Sequence, residues 1–232
     1  YQPEVMISFL NQLFFVITGI VLFFLSRGLF DSSVAWLSTA VFFGSDVLWR
    51  FSISGLTTML SILFFVLLVT CLVVMERASR ASLEEMDDDE EEGIALRPRP
   101  RSVAWYFGIA ALAGLIIGLG GLTRYSFLWL LFPSLLFVGV YVKSHKVPVI
   151  LTTLVVTLVL VGPWLVRNYQ ASGTLFGISS YNVVMDTSDF QNDRIERSMS
   201  SKISSPDFSG YLRKLLVNAP EIITEQLPTL GG

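Results

Sequence analysis

The sequence predicts an all-α fold: a polytopic bundle of about six transmembrane helices, followed by a C-terminal extracytoplasmic segment. Three observations carry this. Of the 232 residues only 15% are charged and 53% are hydrophobic, and the mean hydropathy is +0.63, whereas soluble domains carry about 25% charged residues. Residues 103–123 and 147–166 hold no charge over 21 and 20 positions, about what a helix needs to cross the hydrocarbon core. Several apolar runs follow one another, which one buried helix of a soluble protein does not explain.

The elements follow in order. Residues 9–25 form the first hydrophobic helix, ending before Ser26-Arg27-Gly28. Residues 32–43 form a shorter second one, with Asp31 or Ser32 as N-cap; at about 1.5 Å per residue it barely spans. Residues 55–75, 103–122, 126–142 and 148–165 supply the third to sixth, with Pro148 tolerated in the first turn of the last. The short connections set the orientation. Arg27, Arg77, Arg80, Arg97, Arg99, Arg101, Lys143 and Lys146 fall on one side, and Arg50, Arg124 and Arg167 on the other. Loops 26–31, 76–102 and 143–147 are therefore expected in the cytoplasm, with the N-terminus and everything after Arg167 outside.

Four regions result: residues 1–75 with helices one to three, an acidic disordered cytoplasmic loop at 76–102, residues 103–167 with helices four to six, and an extracytoplasmic segment at 168–232. In the loop, eight of the nine residues 84–92 are acidic. Charges this dense repel and stay solvated, and calcium loops need spaced ligands and a turning glycine. The flanking Arg-Pro repeat at 97–101 suits anionic lipid heads. In the last region Phe208, Tyr211, Leu212, Leu215 and Leu216 recur at helical spacing, with Arg213 and Lys214 off the stripe. This makes 206–217 an amphipathic helix that either rests on the membrane surface or packs on the outer region.

Cys71, the single cysteine, reads as a packed apolar side chain. His145, the single histidine, lies between Lys143 and Lys146 and reads as a loop residue; no metal spacing is present. Gly114 and Gly118, four apart, suit close helix packing in lipid, as do Gly120 and Gly121. Arg50, Arg124 and Arg167 stand at outer helix ends beside Trp49, Tyr125, Trp164 and Tyr169. Interfacial anchoring is one reading of each. Taken together on one face, three guanidinium forks suit a phosphate or diphosphate. Pro163 frees a backbone carbonyl near Trp164 and Arg167.

Three stretches carry a resemblance. "GLIIGLGGLTRYSFLWLLFPSLL", "GPWLVRNYQASGTLFG" and "LFDSSVAWLSTAVFFGSDVLWRFSISGLTT" resemble, in order and spacing, segments of the polytopic integral-membrane glycosyltransferases of the GT-C type. That group includes dolichyl-phosphate-mannose protein mannosyltransferases, the aminoarabinose transferase of lipid A and bacterial transferases of lipopolysaccharide core. The likeness covers about residues 10–180 and departs at Gly177 and at Thr57-Thr58, where many relatives have a Ser-Glu pair. It implies transfer of a sugar from a polyprenyl-phosphate donor to a glycan, lipid or protein acceptor on the outer face of a membrane, most often the bacterial inner membrane. It implies that Arg124 and Arg167 bind the donor phosphate, with Arg50, Tyr125, Trp164 and Asn168 as secondary contacts. The family's catalytic carboxylate sits in a first outer loop, which these residues are expected to follow, so no catalytic residue is named. No cofactor is identifiable here, and a divalent metal would belong to that upstream part. Nothing calls for nucleic acid. Two other functions stay open: a secondary transporter, although no inverted repeat is visible, and a non-catalytic assembly subunit.

The orientation is testable with single cysteines introduced into Cys71→Ser protein. Ser54→Cys is expected to react with an impermeant maleimide from outside intact cells and Ser144→Cys only after permeabilisation; the reverse pattern would invert the topology.

Overall fold

The computed structural model describes residues 3–54, 56–87, 102–143, 145–173, 175–176, 208–221 and 223–224. The acidic run beyond Asp87, the Arg-Pro repeat, Gly177 and Ser205-Pro206-Asp207 lie outside them. Among the described residues every regular element is a helix: α1 Pro3–Leu29, α2 Ser32–Gly44, α3 Asp46–Ile53, α4 Thr58–Asp87, α5 Val103–Thr123, α6 Leu131–Tyr141, α7 Lys146–Ser172 and α8 Phe208–Glu221. Tyr125–Leu130 is a 3-10 turn leading into α6. Four helices, α1, α4, α5 and α7, are long and apolar enough to cross a membrane, so the chain is an integral membrane protein by length and composition. The second and fifth expected helices are shorter. The one expected at 32–43 is α2, which ends at Gly44 and is followed after Ser45 by the separate short helix α3, and the other opens with the 3-10 turn.

The chain divides into two compact units, Tyr1–Val161 and Gly162–Gly232. In the first, α1 and the α2–α3 pair run antiparallel. Asp31 caps α2, its Oδ1 accepting from the Val34 amide at 2.8 Å. Along the pair Phe23 meets Trp36 with ring centroids 5.0 Å apart. Gly19 faces the Phe43 ring so closely that a Cβ there would stand 2.3 Å from its tip. Phe15 stacks on Phe42 at 5.0 Å and meets Trp49 edge-on at 5.3 Å. At the far end Asn11, buried in the apolar helix, donates to the carbonyls of Ser54 and Leu56.

The break at Ser45 leaves carbonyls without helical partners. The Trp49 indole N–H donates to the Phe43 carbonyl at 2.7 Å, so an aromatic side chain closes one of them locally. α4 then runs parallel to α1. Its start buries Met59 beside Phe15 and Phe42, and Arg77 near its other end donates to the Gly28 carbonyl of α1. α4 continues to Asp87, past the expected helix end at 75.

α5 returns antiparallel to α4, and together with α6 and the start of α7 they bury Leu68, Cys71, Met75, Tyr106, Ala110, Ile117, Val138, Val142 and Val149. α5 and α7 are parallel and in close contact. Thr153 Oγ1 donates to the Ala110 carbonyl at 3.2 Å, and Thr157 Oγ1 to that of Gly114 at 3.1 Å, both pairs 43 residues apart. A Cβ on Gly114 would lie 2.6 Å from the Thr153 carbonyl oxygen, and one on Gly118 2.8 Å from Leu160 Cδ1. The small residues thus bring the backbones near enough for threonine hydroxyls to reach across. In the second unit α8 leaves Leu212, Leu215 and Leu216 exposed.

Two substitutions separate packing from polarity here. Gly114→Val is expected to cost about 1–3 kcal/mol through overpacking against Thr153 backbone. Tyr106→Phe, which removes the one buried side-chain oxygen without a hydrogen-bond partner among the described residues, is expected to be neutral or stabilising. Thermal unfolding in detergent micelles reads both.

Candidate functional site

Arg124 is positioned by its backbone. It is the C-cap of α5 in extended conformation; its N–H donates to the Gly120 carbonyl at 2.8 Å, and its own carbonyl accepts from Phe127 at 2.9 Å. One residue therefore ends α5 and starts the 3-10 turn. The fold-back is tight because Gly120 and Gly121 lie under Phe127 and Leu128; a Cβ at either would stand 2.3 Å from the facing side chain. These two glycines, read from sequence as helix-packing residues, hold the turn that carries Arg124. The side chain extends to α4, where Nη2 lies 3.4 Å from Thr58 Oγ1. Thr58 is the first residue of α4, so the guanidinium stands at the end of a long helix whose first N–H groups lack intrahelical acceptors and whose dipole favours anions. Tyr125 follows directly and is partly buried.

Arg50 is arranged differently. It lies on the short α3 with its Nε 2.7 Å from Asp46 Oδ2, and both side chains are exposed, at 78% and 74%. Its charge is neutralised within its own helix. Trp49 stays about half exposed, at 49%, while its indole N–H donates to the Phe43 carbonyl and its ring meets Phe15.

The second unit holds the other residues. Pro163 lies inside α7, which continues to Ser172. The expected stop near 165 is therefore moved: the helix ends at Gly173, whose φ of 71° is the left-handed conformation that glycine adopts without strain. The Gly173 N–H donates to the Tyr169 carbonyl at 2.9 Å. Within that last stretch the Arg167 guanidinium lies over the Trp164 ring, 5.0 Å from its centroid, a cation–π contact between residues one helical turn apart. Asn168 is buried and its amide reaches the Leu175 carbonyl at 3.4 Å. It ties α7 to the chain that leaves it.

Among the described residues the ion pairs are Arg50–Asp46 and Arg80–Glu76. Arg124 and Arg167 thus have no carboxylate partner there. No group of three or more His, Cys, Asp or Glu side chains among the described residues is placed to hold a metal. Sequence reasoning passed over Thr58 as a site residue, although it marks one of the two departures from the resembling family. It also passed over Asn11, whose signal was present: a polar amide within an apolar helix needs a polar partner.

Compared with known proteins, the chain matches no family model, no curated protein and no solved structure.

The turn and the exposed pair should respond differently to substitution. Gly120→Ala is expected to destabilise by about 1–3 kcal/mol, because the Phe127 ring must move, while Asp46→Asn changes stability by less than about 1 kcal/mol, as for other exposed pairs. Denaturation midpoints of the purified variants measure both.

Proposed function

We propose that this chain is part of a membrane glycosyltransferase that moves a sugar from a polyprenyl-phosphate donor to a glycan, lipid or protein acceptor on the outer face of a membrane. The single observation that carries the reading is Arg124. Its backbone is held by two hydrogen bonds at the α5 junction, its side chain lies at the first residue of α4, and no carboxylate among the described residues neutralises it. Such a charge at a helix end in an apolar protein suits a phosphate oxygen. The three stretches that resemble the GT-C glycosyltransferases contain Arg124, Arg167 and Arg50.

In this reading the donor phosphate accepts hydrogen bonds from Arg124, with the first-turn amides of α4 contributing. Arg167 is the second ligand, as the resemblance implies, and no carboxylate among the described residues pairs with it. Trp164 and Tyr125 shape the sugar or lipid pocket, and Asn168 supports the end of α7. Arg50 is the weaker candidate, since Asp46 already neutralises it. When the sugar–oxygen bond breaks, the phosphate leaves with the electron pair, and arginines placed for that charge lower the barrier. The acceptor's proton goes to a carboxylate supplied by the family's first outer loop.

The reading also takes the α2–α3 pair and the Tyr125–Tyr141 segment as two further crossings, six in all. The Arg124 end then faces outward from a bacterial inner membrane, and the segment after α7 is extracytoplasmic.

Binding of undecaprenyl phosphate, followed by intrinsic tryptophan fluorescence of the full chain in micelles, tests the site. Arg124→Ala and Arg167→Ala are each expected to weaken it about ten- to hundredfold, the range for a hydrogen bond to a charged group. Wild-type affinity in both variants, with folding intact, would exclude the assignment.

A further inference from the structure

The opposite end of the first unit gathers positive charge from three stretches of chain. Arg77 on α4 donates to the Gly28 carbonyl, which brings the end of α1 and Arg27 to it. Two residues further along α4, Ser79 Oγ accepts from the Lys143 amide at 2.7 Å, which brings the α6–α7 connection to the same turn. His145 in that connection meets the Tyr106 ring of α5 at 5.5 Å, and Lys146 opens α7. Arg27, Arg77, Arg80, Lys143 and Lys146 are all exposed. Glu76 is paired with Arg80. Among the described residues no carboxylate pairs with Arg27, Arg77, Lys143 or Lys146.

Cations gathered in this way favour an anion among them, and the acidic residues 84–92, further along the chain from Arg80, compete for that place. Their position says which anion. The apolar spans of α1 and α4 end at Leu29 and Ala81, and that of α7 begins at Lys146. The cations therefore stand at the level where a bilayer presents its headgroups. We propose that this end of the bundle is a binding site for anionic phospholipid. The headgroup phosphate is held between the end of α1, Arg77 and the Lys143–Lys146 connection, with the acyl chains along the adjoining apolar helix faces. Arginine supplies a planar fork and the lysines compact point charges, and basic pockets between helix ends are suited to such headgroups. The site is independent of the glycosyltransferase reading, which concerns the other end.

The test uses the whole chain, so that its own acidic run competes as it does naturally. Protein in mixed micelles with equal amounts of phosphatidylglycerol and phosphatidylcholine is examined by native mass spectrometry. Wild type is expected to retain phosphatidylglycerol over phosphatidylcholine by about tenfold, as several basic residues at a surface allow. The triple variant Arg27→Gln, Lys143→Gln, Lys146→Gln should bring the ratio near unity. A variant losing the same charge elsewhere, Arg194→Gln, Arg197→Gln, Lys202→Gln, should keep the wild-type ratio. Arg77 is left in place because it bonds Gly28, and circular dichroism checks the helix content of each variant. Equal retention of both lipids by wild type, an unchanged ratio in the triple variant, or an equal loss in the charge-matched variant would each overturn the proposal.

Discussion

In hydrocarbon a backbone carbonyl or amide must find its partner within the protein, because no water is there to supply one. A continuous helix meets this requirement by itself, so the demand falls on the places where helices stop. At the α2–α3 break the Trp49 indole takes the Phe43 carbonyl, and past α3 the Asn11 amide takes those of Ser54 and Leu56. Arg77 takes the last turn of α1, Ser79 receives the Lys143 amide, and the Arg124 amide closes α5. Each of these groups comes from a neighbouring helix or the adjoining turn. The bonds that satisfy the helix ends are thus also the bonds that arrange the helices.

Between the ends the apolar effect gives little, since lipid tails are as apolar as leucine. Proximity has to come from shape. Gly114 and Gly118 let α7 approach α5 until Thr153 and Thr157 reach carbonyls across the seam. Gly19 admits the Phe43 ring in the same way. The large apolar side chains point the other way: Trp129 is 81% exposed and Phe24 62%, as side chains facing hydrocarbon are.

The two ends of the first unit differ in charge. One carries Arg124 beside Thr58, with the neutralised Arg50–Asp46 pair on α3. The other carries Arg27, Arg77, Lys143 and Lys146 without carboxylate partners among the described residues. A single uncompensated arginine held by its backbone is suited to one phosphate in a defined place. A cluster spread over three connections is suited to headgroups that exchange. The functional and lipid proposals rest on that contrast.

Composition and run length by themselves determined the helical class and, of the six helices they led one to expect, the four that are long and apolar enough to span, because crossing hydrocarbon demands length and apolarity that any tertiary arrangement must respect. They also narrowed the start of α2 to a cap at Asp31 or Ser32, since a local side chain–backbone bond needs no distant partner, and the structure selects Asp31. The separate helix α3 beyond Ser45, the continuation of α7 through Pro163 to Ser172 and the separate fates of the three arginines were decided only by tertiary structure. An apolar stretch reads alike whether it is one helix or two, and Pro163 removes a single hydrogen bond that the helix around it tolerates. An arginine's role depends on what stands within a few ångströms of it: Asp46 for Arg50, the first turn of α4 for Arg124, the Trp164 ring for Arg167. The Thr58 contact joins residues 66 apart, and no local pattern carries it, because it exists only once α5 has folded back along α4.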